Sequence, residues 1–468
     1  MFRDAGSMSI TLVMPTWIEA EIHAATAESL ERAAVLIVSL VHNDRAPARL
    51  LARELHWVEP SAYIERSADG LSIRSVGYVH ALGRAEQLSA VALWVHTHPG
   101  QEATPLPSMK DLIVDREIAN VFRLRSGSHF YGALIFSSAG SGVAFAGHLE
   151  DQDESRVPIN RLWVVGDSFR LTDSFGSKKQ NLSASFDRNI RAFGSAVQHT
   201  LADLQIGIVG VGGTGSAVAE QLVRLGVQHI TLVDPDDLSA TNLSRVYGSA
   251  PSDVGQPKVE VVGSHLSRIN PAARVECING NLVTEALAKR LVTCDVLFGC
   301  TDDNAGRLVL SRMATYLLTP VIDCGVLLSS LGDGRIAGID GRVTVLTPGE
   351  ACLVCRGRID LQRAAAELLS YEERSRRVAE GYAPALAGIE PAVIAFTTAI
   401  GAAAVSELLE RLIRFGPEPR PSEILLRLHE RQVSTNSSKP KAGHYCDPDA
   451  GKMGTGVTIP FLDQTWPQ

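Results

Sequence analysis

The sequence lacks an apolar run long enough to cross a membrane. A membrane-spanning helix needs about 20 consecutive, mostly apolar residues. The longest apolar stretch, residues 391–405, is interrupted by Thr397, Thr398 and Gly401. Near the start of the chain, the five-residue apolar run that follows Asp4 is too short for a secretory signal. We therefore expect a buried helix within residues 391–405, no membrane partner and a cytoplasmic location.

The sequence also lacks an excess of basic charge. It contains 44 Lys and Arg against 52 Asp and Glu, which gives a formal net charge of −8, and no basic tract stands out. Surfaces that bind nucleic acid are basic. This balance therefore argues against nucleic acid as a partner.

Cysteine is scarce, with seven residues in 468. Without a secretory signal, we expect a reducing compartment, in which cysteines are free thiols or metal ligands and not disulfides. Four of them lie in or close to predicted strands and are interpreted as apolar core residues: Cys277, Cys294, Cys300 and Cys324.

The length of the chain predicts two or more domains, and the pattern changes along it. Residues 1–150 mix short apolar strands with helical segments. Residues 151–185 are polar and Ser-rich, which predicts a linker that contains a strand or two, such as "RLWVVG". Residues 186–431 alternate strand, turn and helix, as in a doubly wound parallel sheet of an α/β protein. Residues 432–468 are rich in Ser, Lys, Gly and Pro and predict an irregular tail.

A first candidate site lies in the stretch "HTHPGQEATPLPSMKD". His96 and His98 are two apart on a predicted strand, so both side chains point to one face. Ser108 could cap a helix, and Asp111, three residues later, could supply an oxygen ligand. Three protein ligands leave a fourth position open for water, which is typical of a catalytic zinc site. The alternative is a pair of surface histidines beside a loop.

The order His-x-His-Pro, a short loop and Ser-x-x-Asp resembles the metal site of the JAB (JAMM/MPN) metalloproteases. These enzymes cleave after the C-terminal glycine of ubiquitin and its relatives. The resemblance implies a JAB/MPN-like α+β domain in which His96, His98 and Asp111 bind zinc. It implies that Ser108 helps to hold the water and the tetrahedral intermediate.

The same resemblance requires a glutamate that acts as general base. Glu31, at the start of the apolar strand "ERAAVLIVS", matches best, and Glu28 is the alternative. One departure from the family is a longer loop, with eight residues between Pro99 and Ser108 where six are usual. An inactive, degenerate site therefore stays open as an alternative.

A second candidate site begins with "GVGGTG", which lies between a predicted strand and a predicted helix. Glycines at this position let the backbone approach a phosphate at the helix N-terminus. Asp234 closes the next strand and could bind a ribose hydroxyl. The glycine pattern alone fits NAD and ATP equally well. The glycines concerned are Gly210, Gly212, Gly213 and Gly215.

The residues that follow the loop separate these two nucleotides. Asn242, Arg245 and Lys258 lie just downstream, and Asp302 follows in "CTDDN". An NAD-dependent dehydrogenase has no need for the two cations. When a carboxylate attacks the α-phosphate of ATP, Arg245 and Lys258 can neutralise the developing charge, and Asp302 can hold Mg²⁺.

This ordered set resembles the ThiF/MoeB-like adenylyltransferases, the ubiquitin-activating type. The resemblance implies a Rossmann-like ATP-binding domain over residues 186–431. In "FDRNIRAFGSAVQHTL", Arg191 matches an arginine that reaches the ATP site of a partner subunit in this family, which implies a homodimer. Where the family often has Arg-Gln, Arg245 is followed by Val246, so one polar contact is missing.

The pair Cys352-x-x-Cys355 leaves two interpretations open. Many family members bind a structural zinc through two such pairs. Here, Cys352 and Cys355 could combine with His444 and Cys446 in a zinc site. Alternatively, Cys352 or Cys355 could form a thioester with the activated glycine, or the enzyme could release the acyl-adenylate to an external nucleophile.

Together the two resemblances imply an enzyme that uses ATP, Mg²⁺ and Zn²⁺ on the C-terminal tail of a ubiquitin-like protein. One half would trim or deconjugate the tail, and the other would adenylate its glycine carboxylate. A conjugating enzyme would then be a separate chain, in bacterial defence or sulfur-carrier metabolism. The alternatives are adenylation of a small peptide or metabolite, an NAD(P)-dependent enzyme and a non-catalytic scaffold.

Overall fold

The structure is a computed structural model and forms two compact units. The boundary lies between residues 179 and 180, and the short segment 454–457 belongs to the first unit. The structure describes residues 10–43, 46–100, 105–174, 181–332, 334–369, 372–373, 376 and 392–467.

The first unit contains strands and helices in alternation. In chain order they are β1 (Ile10–Pro15), α1 (Thr16–Thr26), β2 (Ala33–Asn43), β3 (Ala46–Trp57), β4 (Tyr63–Arg66), β5 (Leu71–Ile73), α2 (Val76–Gln87), β6 (Val91–Thr97), α3 (Met109–Ser126), β7 (Tyr131–Ala139), β8 (Gly142–Glu150), β9 (Arg156–Val165) and β10 (Arg170–Asp173).

The main sheet of this unit closes on itself. Its order is β1-β3-β2-β6-β7-β8-β9-β10, and β1 also pairs with β9. One apolar cluster combines α1 with one face of the sheet, and a second combines α2 and α3 with the other face. The unit is therefore a barrel-like sheet with apolar packing on both faces. This architecture does not by itself identify the JAB/MPN-like fold that the sequence predicts.

The predicted linker, residues 151–185, is partly a component of this sheet. β9 and β10 lie within it, and β9 pairs in parallel with β1 to complete the closure. The strand expected in this segment is part of β9, but residues 156–173 belong to the sheet of the first unit and not to a linker, because the polar flanks of the segment obscure a short buried run. Leu162, Trp163 and Val165 in that run are almost fully buried.

The second unit is built around another sheet. In chain order its elements are α4 (Asp187–Asp203), β11 (Gln205–Val209), α5 (Gly213–Arg224), β12 (His229–Asp234), α6 (Lys258–Ile269), β13 (Arg274–Asn279), α7 (Glu285–Arg290), β14 (Val296–Gly299), α8 (Asn304–Tyr316), β15 (Val321–Gly332), β16 (Arg335–Leu346), α9 (Leu361–Glu367), α10 (Ile394–Ile413), β17 (Glu423–Arg427) and β18 (Gln432–Asn436).

This sheet has the order β13-β12-β11-β14-β15-β16-β17-β18. β13, β12, β11, β14 and β15 are parallel, and the remaining pairs are antiparallel. The chain order reverses between β11 and β14, which is where doubly wound sheets bind ligands. The Rossmann-like prediction for this half of the chain is confirmed.

The buried helix expected within residues 391–405 is α10, which packs against α5 and β15. Within the described part of the chain, no helix combines the length and apolar character needed to cross a membrane. The predicted irregular tail begins with β18, which pairs with β17. All seven cysteines are free thiols.

The closure of the first sheet can be tested at Leu162. The side chain is fully buried, so Leu162→Ala should lower the free energy of unfolding by about 2–5 kcal/mol. Gln152→Ala, at an exposed position of the same segment, should change it by less than about 0.5 kcal/mol. Urea denaturation followed by tryptophan fluorescence reports mainly on the first unit, which holds four of the five tryptophans. Equal, negligible effects would mean that the segment is a linker after all.

Candidate functional sites

The glycine loop joins β11 to α5 at the reversal point of the second sheet. Gly210 has a positive φ of 87°, and a Cβ there would lie 2.6 Å from the carbonyl oxygen of Cys300. A Cβ at Gly215 would lie 1.8 Å from the oxygen of Gly210. Gly212, by contrast, faces open space at the N-terminus of α5. The loop therefore presents the positive end of a helix dipole to a cavity, as an anion site requires.

Asp234 holds this loop in place. Its carboxylate accepts hydrogen bonds from the amide of Val211 at 2.6 Å and from that of Asp236 at 2.9 Å. Lys258, at the start of α6, lies 2.6 Å from Asp236 and 3.7 Å from Asp234. Burial raises the pKa of Asp234, against the attraction of Lys258. Sequence reasoning expected Asp234 to bind a ribose, but it overlooked that the same carboxylate organises the loop.

Asn242 and Arg245 lie on a short turn beside the loop. The side-chain oxygen of Asn242 accepts a hydrogen bond from the amide of Ser239 and so closes the turn. Arg245 donates to the carbonyl of Thr241 at 2.9 Å, and its Cδ lies 3.3 Å from the ideal Cβ position of Gly213. The guanidinium group is therefore held next to the helix N-terminus by local backbone contacts.

Two adjacent aspartates after β14 have different roles. Asp303 caps α8, because it accepts hydrogen bonds from the amide of Gly306 and from the hydroxyl of Thr301. Both aspartates line the cavity, but Asp302 is exposed, whereas both oxygens of Asp303 accept the hydrogen bonds just described. Asp302 is therefore the better placed of the two to hold a divalent cation.

One cavity of about 1110 Å³ brings these predicted residues together. The volume exceeds that of most small-molecule sites, which are roughly 300–1,000 Å³. Cys300 and Cys324, interpreted from the sequence as core residues, also line it. Sequence reasoning missed Arg307 on α8, Arg342 on β16 and Arg358 before α9, which form another part of the wall; no short motif links these three separate segments.

Arg191 is not brought to this cavity within the chain. It lies on α4, its side chain is 78% exposed, and it forms an ion pair with Asp187 at 2.8 Å. Its predicted role in a partner subunit stays a prediction.

The first unit brings together the residues of the predicted metal site. His96 is buried near the end of β6, and His98 follows that strand. Asp111 Oδ1 lies 3.3 Å from Nε2 of His96, and Oδ2 lies 3.7 Å from Nε2 of His98. One ligand atom from each of the three residues can be chosen so that all lie within 4.8 Å of one another. Neither ring nitrogen of His96 makes a hydrogen bond within the described residues, so the set suits a metal ion.

The capping box of α3 fixes the orientation of Asp111. Oδ2 of Asp111 accepts a hydrogen bond from the amide of Ser108, and Oγ of Ser108 accepts one from the amide of Asp111. Burial opposes ionisation, but the imidazoles of His96 and His98 outweigh it and hold the pKa of Asp111 well below its usual range. The serine thus acts as the predicted cap. Residues 101–104, in the lengthened loop before it, lie outside the described residues.

Glu31 lies at this site and Glu28 does not. β2 pairs with β6 in a register that sets Ala33 opposite His96, so Glu31 falls level with His98. Oε1 of Glu31 is 3.8 Å from Nε2 of His98, and burial raises the pKa of Glu31 to about 7. Glu28 is instead paired with two arginines.

A cavity of about 220 Å³ adjoins the metal site. His96 and Asp111 line one part of it, and mostly apolar side chains from β6, β7 and α3 line much of the rest. A second histidine, His148, lies in the same wall, near Asp115. The cavity could receive one side chain of a ligand held at the metal site.

Cys352, Cys355, His444 and Cys446 form a compact cluster in the second unit. The sulfur atoms lie 3.3–3.4 Å from Nδ1 of His444, and the sulfurs of Cys355 and Cys446 are 3.6 Å apart. Ligands of a tetrahedral zinc ion, at bond lengths of about 2.0–2.3 Å, would be separated by roughly 3.4–3.8 Å. Cys352 and Cys446 are almost fully buried. The cluster therefore has the donor atoms and the dimensions of a structural zinc site.

Comparisons with known proteins match the second unit. Residues 186–447 match the ThiF family. The molybdopterin-synthase adenylyltransferase of Escherichia coli K12 is 33% identical over 172 residues, which are 36% of this chain and 65% of that protein. The sulfur carrier protein ThiS adenylyltransferase of the same strain is 31% identical over 160 residues, which are 34% of this chain and 60% of that protein. The chain thus spans less than two thirds of these relatives.

Among solved structures, the microcin C7 biosynthetic enzyme MccB, in complex with N-formylated MccA, is similar at a TM-score of 0.46 and 18% identity. The match covers 58% of this chain and 77% of that one. The family match begins at residue 186, so the metallopeptidase resemblance of the first unit rests on its own residues alone. The family match extends over more than half of the sequence, and the chain belongs to the ThiF family.

Proposed function

We propose that the second unit adenylates the C-terminal glycine carboxylate of a ubiquitin-like protein with ATP. The observation that carries this proposal is the single cavity of about 1110 Å³ that combines the glycine loop with Arg245, Lys258 and Asp302. A nucleotide would occupy the loop side and leave room for a second reactant. Membership of the ThiF family, and the carrier-protein substrate in the name of one relative, support the same choice.

In this reaction a carboxylate oxygen bonds to the α-phosphorus of ATP. The bond between that phosphorus and the oxygen bridging to the β-phosphate breaks, and pyrophosphate leaves with the electron pair. Arg245 and Lys258 stabilise the charge that develops on the phosphate oxygens. Asp302 would hold Mg²⁺, which would offset the charge of the leaving pyrophosphate. An NAD-dependent enzyme would have no use for this arrangement of cations.

Asp302→Asn should lower ATP–pyrophosphate exchange by about 10²–10³-fold and leave the thermal midpoint unchanged. Asp303→Asn is the matched control, because asparagine caps a helix as well as aspartate and activity should stay within a few-fold of wild type. Exchange is measured with a panel of ubiquitin-like proteins and sulfur carriers that end in Gly-Gly. Exchange only with short peptides would favour the peptide-modifying alternative, and binding of NADH without ATP would contradict adenylation.

Two kinds of partner follow from this proposal. The exposed Arg191 would reach the cavity of a second subunit in a homodimer. A separate conjugating enzyme would accept the activated glycine if it is passed on as a thioester.

For the first unit we propose a zinc-dependent peptidase that trims or deconjugates the same kind of tail. The ring nitrogens of buried His96 make no hydrogen bond within the described residues, and His96 fits a zinc ion with three protein ligands together with His98 and Asp111. Zinc bound there would supply a Lewis acid that polarises the scissile carbonyl. Glu31 has a buried oxygen without a hydrogen bond within the described residues, and it would take a proton from the attacking water and return it to the leaving amine.

The substrate is a ubiquitin-like precursor that carries extra residues after its Gly-Gly. Glu31→Gln should reduce cleavage of this precursor by about 10²–10⁴-fold, because the general base is lost. The variant should retain the zinc, because Glu31 is not a ligand. His96→Ala should lose one zinc per chain as well as cleavage. Glu28→Gln is the control and should leave both unchanged. The measurements are gel-based cleavage and zinc content by mass spectrometry. Full cleavage by the Glu31 variant, or no cleavage by wild type, would leave the site without a peptidase role.

The cysteine cluster is proposed as a structural zinc site and not as the thioester position. A thioester requires an accessible thiolate, but Cys352 is almost fully buried and shares close contacts with His444. Zinc bound by the four side chains would connect the segment after β16 to the C-terminal segment.

Cys446→Ser should lose one zinc per chain and lower the thermal midpoint by more than about 5 °C, since structural zinc binding contributes directly to folding. Cys277→Ser changes a thiol outside the cluster and should keep the zinc content of wild type. Zinc analysis and thermal denaturation give the two readouts. A Cys446 variant with unchanged zinc, or a covalent adduct on Cys352 or Cys355 in wild type, would favour the thioester interpretation.

A further inference from the structure

Beyond the phosphate-binding loop, the cavity wall contains three arginines arranged around two buried carboxylates. Asp323 on β15 and Glu423 on β17 are fully or almost fully buried. The three guanidinium groups belong to Arg307, Arg342 and Arg358. Each of the two carboxylates lies in a hydrophobic sheet, where an ion needs a close partner of opposite charge.

Two of the arginines satisfy the two carboxylates completely. Arg307 binds both oxygens of Asp323, at 2.9 and 2.7 Å. Arg358 binds both oxygens of Glu423, at 3.0 and 2.8 Å. These paired, planar contacts are the strongest arrangement for arginine and carboxylate.

Arg342 has no carboxylate of its own. It contributes one hydrogen bond, 2.8 Å long, to the Asp323 oxygen that Arg307 already occupies. Its Nε is buried and has no hydrogen-bond partner among the described residues, and it lies 3.9 Å from the nearest oxygen of Glu423. Because the side chain is only 16% exposed, water screens its charge poorly. This guanidinium can therefore take a further anion.

The position of Arg342 indicates which anion that is. It lies on β16 opposite Gly325 of β15, and both line the cavity that contains the glycine loop. The phosphates of a nucleotide have their own cations in Arg245 and Lys258, beside the loop. The other anion that enters this cavity during adenylation is the carboxylate of the second reactant.

We propose that Arg342 binds the C-terminal carboxylate of the protein substrate and positions it for attack on the nucleotide. This inference rests on the proposed adenylation function and assigns the carboxylate side of the same site. Once the carboxylate becomes part of the acyl-adenylate, a mixed anhydride, the carboxylate oxygens no longer carry a negative charge. Arg342 then distinguishes the free tail from the activated one.

The test measures binding and does not depend on turnover. The probes are two fluorescein-labelled nonapeptides that end in Gly-Gly, one with a free carboxylate and one with a terminal amide. Each is titrated with the full chain in the presence of a non-hydrolysable ATP analogue, and binding is followed by fluorescence polarisation. Wild type should bind the carboxylate peptide at least about tenfold more tightly than the amide. Arg342→Gln should bind the two equally, and Arg342→Lys should restore part of the difference.

Arg427→Gln is the matched control. Arg427 lines the same cavity, but its side chain is 46% exposed and lies 3.9 Å from Glu430. This variant should keep the preference for the carboxylate. Arg342→Gln should fold normally, because Asp323 and Glu423 keep Arg307 and Arg358; its thermal midpoint and its affinity for ATP check this.

Three results would overturn the inference. They are a wild-type protein that does not prefer the carboxylate, an Arg342→Gln variant that keeps the preference, and an Arg342→Gln variant whose main defect is weaker ATP binding. The proposed adenylation function is judged separately by pyrophosphate exchange in wild type. It could stand with Arg342 in another role.

Discussion

The carboxylate of Asp234 is the interaction on which the nucleotide side of the second unit depends. It accepts hydrogen bonds from the amide of Val211 in the glycine loop and from the amide of Asp236 after β12. Lys258 reaches the same pair of aspartates from the start of α6. A single buried acid thus holds both the glycine loop and Lys258, the two groups proposed to bind the phosphates of a nucleotide.

The cavity has two cationic regions with different physical origins. Arg245 is held on an irregular turn by a hydrogen bond to the backbone carbonyl of Thr241. Arg342 lies on a strand and shares Asp323 with Arg307, so its position is fixed by the sheet. In the proposed reaction, Arg245 would face the nucleotide phosphates and Arg342 would face the attacking carboxylate, whose orientation affects the rate. With a separate cation for the phosphates and for the carboxylate, one cavity could hold both reacting groups next to each other.

The sequence predicted the parts of the molecule that carry local patterns. Short-range periodicity and turn chemistry were enough to predict the glycine loop, β12 with its terminal aspartate, and α10. The histidine pair was predictable because alternation along β6 sets both side chains on one face. The four-residue cysteine and histidine cluster was one of two open alternatives, and its compact geometry was visible only in the structure.

What could not be predicted depends on contacts between distant segments. Asp323, Arg342 and Glu423 come close together only through the register of three neighbouring strands, and no residue type or short motif indicates that register. Closure of the first sheet requires β9 to pair with β1, about 150 residues earlier in the chain. The polar flanks of β9 suggested a linker instead. Cys324 is buried as expected of a core residue, but it also lines the cavity together with Cys300, which the sequence could not show because the edge of a cavity and a protein core are equally apolar in sequence.

The central claim is that this chain activates a glycine carboxylate as an adenylate. Intact-mass spectrometry measures that product directly when a ubiquitin-like protein ending in Gly-Gly is incubated with the enzyme, ATP and Mg²⁺. If the chain forms an adenylate, the mass of the small protein should rise by one adenylyl group, and blocking its C-terminus as an amide should prevent the change. Adenylation of a glycine carboxylate would be contradicted if a panel of such proteins stays unmodified while the enzyme binds NADH or hydrolyses ATP without an adduct.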